Sequence, residues 1–182
     1  MIFYILPETK NNMKKIICFT AITIIVLASC DPKKTETTAA ETPKGSGYTL
    51  DSSANVDLVK KINYAFPAGD SVTVFACYSD TAKVHDNLHT VPIKQNFRDF
   101  YSMIAKGVVT KVEKINAIFE TVNYKASPDG VTNYVVAWVT LSAQRGKKSV
   151  TFIMNQGFAF KNGKIVEEWD TYDTAGLMDL MK

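Results

Sequence analysis

Two stretches of the 182-residue chain hold side chains able to move a proton: "KVHDN", Lys83 to Asn87, which carries Asp86, and "EEWDTYD", Glu167 to Asp173, which carries Glu168, Asp170 and Tyr172. Two carboxyl groups at one site can act as general acid and base when burial raises the pKa of one of them. Asp86 and Asp170 are therefore the candidate catalytic residues. The ordinary alternatives are a turn or helix-capping carboxylate for Asp86 and a hydrogen-bonded structural acid for Asp170. His85 and His89 have the i, i+4 spacing that brings metal ligands together on a helix, but Asp86, Asn87 and Leu88 between them read as strand end and loop. With no third ligand near, no metal is expected. A nucleophile elbow, a phosphate-cradling glycine loop and a zinc signature are all missing, and no cofactor is expected.

The elements that must position these groups follow from hydrophobic periodicity. Leu58, Val59, Ile62, Ala65 and Phe66 recur at helical spacing from Val56 to Phe66, with Ser53 or Asn55 available as a cap. "PAGD" ends that helix and offers Asp70 as the cap of a second, reaching about Tyr78. "TAKVHDN" reads as a short strand. Pro92 suits a first helical turn, and Ile93, Phe97, Phe100, Tyr101 and Ile104 share a face up to Gly107, which is placed to end a third helix. Beyond it, long β-branched and aromatic runs are separated by Asp129-Gly130, Arg145-Gly146 and Asn162-Gly163, all good hairpin signals. A short helix closes the chain from about Asp173 to Met181. Helices grouped before a sheet predict α+β.

Period-two alternation sets Met154, Gln156 and Phe158 on one face of their strand, and Glu168, Asp170 and Tyr172 on one face of the last. Facing inward, they give a pocket with an acidic rim and aromatic lining, suited to a small apolar ligand with a polar head. A slip of one residue would bring Trp169 inside and turn the carboxylates out. Tyr64 and Trp138 are further candidate ligand-binding aromatics, with core or interface packing as their ordinary role.

Upstream, "MKKIICFTAITIIVLASC" sets Lys14 and Lys15 before an apolar run from Ile16 to Leu27 that is short of the roughly 20 residues a membrane-spanning helix needs. Its end, Leu27-Ala28-Ser29-Cys30, resembles the bacterial lipoprotein lipobox, which implies cleavage before Cys30 and lipidation of that cysteine. The expected division is an upstream extension over 1–12, a signal peptide over 13–29, lipidated Cys30 with a flexible tether to 48, and one domain over 49–182. The tether, "DPKKTETTAAETPKGSG", has no large apolar residue to offset ordering entropy. Losing residues 1–29 removes Lys10, Lys14, Lys15 and Glu8 from 21 basic and 18 acidic residues, so the formal charge falls from +3 to +1. Nucleic acid is not expected as a partner, and Arg145, Lys147 and Lys148 read as a solvated hairpin tip. Cys77 has no intramolecular partner left and reads as a small buried apolar residue. The expected location is the bacterial cell envelope, anchored through acylated Cys30, with the outer membrane favoured.

The order of elements, with "PAGDSVTVFACYSDTAKVHDN", "FRDFY" and "FAFKNGKIVEEWDTYD", resembles the nuclear transport factor 2-like superfamily and its SnoaL-like branch, over most of the chain from Val56 onward. The resemblance implies a cone-shaped α+β barrel: three N-terminal helices packed in a strongly curved antiparallel sheet, an interior pocket, and homodimerisation through the outer sheet face. Compared with ketosteroid isomerase in that superfamily, Asp86 matches the catalytic base. Ile62 stands where the tyrosine donor is needed and Gln156 where the acidic donor is needed. Each lost oxyanion donor typically lowers the rate roughly 100-fold or more. The missing donors favour non-catalytic binding of a small molecule or a protein partner. The alternative is a SnoaL-type isomerase, cyclase or hydrolase using Asp86 or Asp170.

Overall fold

The computed structural model describes residues 46–182. The signal-like run, Cys30 and the tether up to residue 45 lie outside the described residues. In chain order the elements are β1 (Gly47–Leu50), α1 (Ala54–Ala68), α2 (Ser71–Cys77), β2 (Tyr78–Asp86), β3 (His89–Pro92), α3 (Ile93–Ala105), β4 (Val109–Asn123), β5 (Asn133–Arg145), β6 (Lys148–Lys161), β7 (Lys164–Thr171) and α4 (Ala175–Met181). Strand β1 begins two residues before the domain boundary that composition suggests. Among the described residues no helix is long and apolar enough to cross a membrane.

The helices start and stop for local reasons. Ser53 caps α1 by accepting from the Val56 N–H at 3.0 Å. At the other end Gly69 takes φ 78°, a left-handed conformation that glycine adopts without strain, and its N–H bonds Phe66 O at 3.1 Å. Asp70 then caps α2 through Thr73 N at 3.0 Å. The β6–β7 hairpin turns on Asn162 and Gly163, both at positive φ (53° and 70°), as a two-residue primed turn requires.

The strands form one curved, unclosed sheet in the order β1-β4-β5-β6-β7-β2-β3. Its curve holds the core. Val135, Ala137 and Val139 of β5 lie opposite Phe158, Gln156 and Met154 of β6, and this face packs on Val56, Val59 and Ile62 of α1 and on Ile93 and Phe97 of α3. An aromatic seam ties the helices to one another, with Phe66 edge-on to Phe97 at 5.3 Å and Phe97 stacked on Tyr101 at 4.7 Å. A second apolar cluster lies where α4 docks: Leu180 packs with Val108 and Ala143, flanked by Phe152 and Val150.

Two expectations need correction. The sheet is mixed, because β2 pairs with β7 in parallel while every other neighbour is antiparallel. The chain between β2 and β7 passes through every strand from β3 to β6, so no tight turn dictates the direction in which β7 meets β2. The hairpin tip is also less solvated than charge alone suggests. Arg145 reaches across to Leu180 O and Met181 O at 2.9 and 3.0 Å, and Lys148 to Asp179 O at 3.1 Å, which satisfies the last carbonyls of α4.

Candidate functional site

The parallel register sets Asp86 beside Asp170 and Val84 beside Glu168. On the other flank of β7, Gln156 lies opposite Asp170 and Phe158 opposite Glu168. Gln156, Glu168 and Asp170 are buried on the core face, whereas Trp169 between the two acids points the other way. There Trp169 stacks on His85 at 5.4 Å, and His85 bridges Thr90 at 2.9 Å and Glu167 at 3.0 Å. Alternation thus separates a buried carboxyl side from a half-exposed histidine side across one strand pair.

Tyr78 completes the buried side, and its position comes from an irregularity. Between Tyr78↔Ile165 and Lys83↔Glu167 the β2–β7 ladder spends five residues of β2 against two of β7. Such a bulge re-aims side chains. The Tyr78 hydroxyl donates to Glu168 Oε2 at 2.6 Å. Glu168 and Asp170 share one buried face of β7, and each shifts the titration of the other. Gln156 Nε2 donates to Asp170 Oδ1 at 3.2 Å, which leaves Gln156 Oε1 buried without a partner.

Burial governs the titration of this cluster. Burial raises Glu168 to about 7, against the lowering effect of Tyr78 and Asp170. For Asp170, burial and then the charge of Glu168 push the carboxyl well above its ordinary value. Tyr78 rises for the same two reasons, and Tyr172 rises through burial and the neighbouring charge of Asp86. The outcome is a buried pair that holds a proton at neutral pH, the condition a general acid must meet.

Asn87 aligns the strand ends. It sits at φ 50°, donates its N–H to Asp170 O at 2.8 Å and accepts from Tyr172 N at 3.2 Å. Asn is among the few residues that tolerate such a turn, so the "DN" pair holds Asp86 level with Asp170. Neither Tyr78 nor Asn87 was among the residues singled out from sequence; "DN" after a strand was the available signal for Asn87, and nothing local marked Tyr78.

Asp86, Gln156, Glu168, Asp170 and Tyr172 are brought together, and half-buried Met154 lies on the same face. Phe158 is fully buried in the core. Two candidates fall elsewhere. Trp138 alternates with inward-facing Ala137 and Val139, so it lies on the outer face against Phe119 at 5.7 Å. Tyr64 is 57% exposed, because it falls off the helical stripe made by Val56, Val59 and Ile62. Of the two histidines, His89 is exposed in the β2–β3 hairpin, and no group of metal ligands forms among the described residues. Cys77 is buried and free, and burial raises its thiol pKa.

A depression of about 200 Å³ lies at the other end of β7, lined by Asn55, Thr132, Asn133, Phe160, Lys161 and Gly163, away from these carboxyls. Beside it, Glu120 of β4 accepts from Asn55 Nδ2 at 2.7 Å and Asn133 Nδ2 at 2.6 Å. Burial would raise Glu120, but hydrogen bonds from Ser53, Asn133 and Asn55 outweigh it and lower the carboxyl overall.

No protein-family model and no curated protein matches the sequence. Solved structures do match in fold. An LEH-like epoxide hydrolase from M. tuberculosis superposes with a TM-score of 0.51 at 19% identity, over 70% of this chain and 88% of that one. A protein assigned as a polyketide cyclase from Silicibacter sp. TM1040 gives 0.53 at 18% identity, over 71% and 95%. An NTF2-like protein from Burkholderia pseudomallei K96243 gives 0.52 at 16% identity, over 72% and 99%. The chain carries the nuclear transport factor 2-like, SnoaL-like α+β cone fold.

Proposed function

We propose that the protein is a lipid-anchored lipoprotein of the bacterial cell envelope whose cone domain binds a small apolar ligand through a polar head, without turning it over. The observation that carries the binding role is the buried cluster in which Tyr78 bonds Glu168 and Gln156 bonds Asp170, leaving the Gln156 amide oxygen buried and unpartnered on the core face. A native interior seldom leaves such an acceptor unsatisfied unless something else is bound there. The anchor rests on the charged, apolar, small-residue run ending at Cys30. Dimerisation through the outer sheet face is supported by its aromatic and aliphatic surface, with Trp138 on Phe119 and Ile153 57% exposed.

A second reading is favoured by one observation. The Glu168–Asp170 pair keeps a proton at neutral pH beside Asp86, as acid–base isomerisation, cyclisation or hydrolysis would need. Solved structures of the same fold named as an epoxide hydrolase and a polyketide cyclase are in keeping with that chemistry.

The test is mass spectrometry of small molecules that copurify with the full chain and with an Asp86→Asn, Asp170→Asn variant. Binding predicts a compound recovered intact from the wild type and lost from the variant. Catalysis predicts instead that an added compound of that class is converted by the wild type alone. Recovery of nothing from either protein counts against both pocket readings and favours a protein partner. Intact mass of the membrane-extracted chain should show cleavage before Cys30 and an added diacylglycerol, both abolished by Cys30→Ala.

A further inference from the structure

The buried carboxyl cluster has acceptor oxygens but no cation. Glu168, Asp170 and half-buried Asp86 converge there, and among the described residues no lysine, arginine or histidine pairs with any of them; the ion pairs lie at Lys60–Asp57, His85–Glu167, Lys111–Glu113 and Lys182–Asp179. Burial answers the missing counter-ion with protonation, and a cation entering the site would take that proton's place. The second observation is Gln156, 8% exposed, whose Nε2 is held by Asp170 while its Oε1 has no donor. The cluster therefore lacks two things, a positive charge and an N–H or O–H donor.

An ammonium group supplies both. We propose that this cluster receives the ammonium head of a small organic amine, with Gln156 Oε1 and the carboxyl oxygens of Asp170 and Asp86 accepting its N–H donors. The proposal rests on the pocket reading above and narrows it to one class of ligand. A metal ion fits less well, since no metal-ligand group forms among the described residues. The Tyr78 hydroxyl, which donates to Glu168 Oε2 at 2.6 Å, bounds the site on the β2 side. Met154 and Tyr172, both half-buried, belong to neither apolar cluster. The amine's apolar stem would lie beside them, between the core under α1 and the cluster under α4.

Proton balance gives the inference a pH signature. The groups facing the pair are Tyr78 and Asp86 from β2, Tyr172 following β7 and the neutral amide of Gln156 from β6; the buried residues of α1 and α3 add one neutral polar side chain, Asn63, and no charge. A cation entering the site takes the place of the proton that burial holds on Glu168 near pH 7, and that proton leaves to solvent. Affinity should therefore rise up to about tenfold per pH unit below 7 and level off above it, while the amine itself stays protonated to about pH 10.

The experiment is calorimetric titration of the full chain with primary ammonium salts of increasing alkyl and phenylalkyl length, each matched to the alcohol of the same length. It is run at pH 6 and pH 8 in buffers of different ionisation enthalpy. Expected are at least tenfold tighter binding of ammonium than of alcohol at pH 8, proton release on binding, and a tenfold or greater loss of ammonium affinity in Asp170→Asn that exceeds any loss of alcohol affinity. If the alcohols bind as tightly as the ammonium salts, the pocket stands and the cation inference is overturned. If neither series binds at millimolar concentration, both fall.

Discussion

Glu120 and Glu168 occupy one row of the sheet, Glu120–Val135–Phe158–Glu168, on the same buried face with two strands between them. Both side chains are nearly inaccessible, at 2% and 4% exposure. They nevertheless titrate in opposite directions, because Glu120 is saturated with amide and hydroxyl donors from Ser53, Asn55 and Asn133, while Glu168 has only Tyr78 and a second acid. The donors, not the depth, decide whether a buried carboxyl is a structural pin or a group held in readiness. The pin joins the start of α1 to β4 and β5; the other cluster joins nothing that Phe158 and Val84 do not already hold.

The largest test removes the pin. Glu120→Ala leaves its donors unpaired in a buried site and should lower unfolding free energy by about 3 kcal/mol, against less than about 1 kcal/mol for Asp170→Asn at pH 8. Urea denaturation measures both, and equal losses would erase the distinction. The next concerns pH. Glu168 binds its proton more tightly folded than unfolded, so its contribution to stability is fully present below the unfolded value of 4.5 and is lost as pH rises through about 7. The wild type should lose about 2 kcal/mol between pH 5 and pH 8, and Glu168→Gln should flatten that slope. For Glu120 the sign reverses, its contribution being present above the unfolded value and fading only in acid. A smaller effect is expected of Tyr78→Phe: it removes a bond that lowers Glu168, so the midpoint should climb above 7 and stability at pH 8 fall by about 1 kcal/mol. Smallest is Asp86→Asn, which should lower the Glu168 midpoint by roughly half a pH unit, read from the protonated-carboxyl band in infrared spectra.

Much of this architecture is written locally and some is not. The turns at Gly146 and Asn162-Gly163 are legible because only a few residues tolerate positive φ, and they fix the β5–β6–β7 meander and its inner stripe. From that stripe the convergence of Gln156, Glu168 and Asp170 follows by counting in twos. Asp86 joins them only through a parallel pairing that no local pattern encodes, and Tyr78 only through a bulge. Strand β3 was missed because His89–Pro92 is too short to show alternation. The residue types of Trp138 and Tyr64 suit a ligand platform, but their strand parity and helical angle place both on outer surfaces. Glu120 escaped notice because an acid inside a strand reads as solvent-facing until its partners on α1 and β5 are seen.

The contact between β2 and β7 also bears on how the domain comes into being. Tyr78 and Glu168 are separated by 90 positions, so their meeting must wait until nearly the whole chain is available. The hairpins from β4 to β6 can zip early from adjacent segments, whereas the acidic cluster assembles only as the final strand closes against the second. A chain still being synthesised therefore has most of its sheet within reach before it has any site, and a truncation ahead of Lys164 removes both buried acids, Glu168 and Asp170, while sparing β4, β5 and β6.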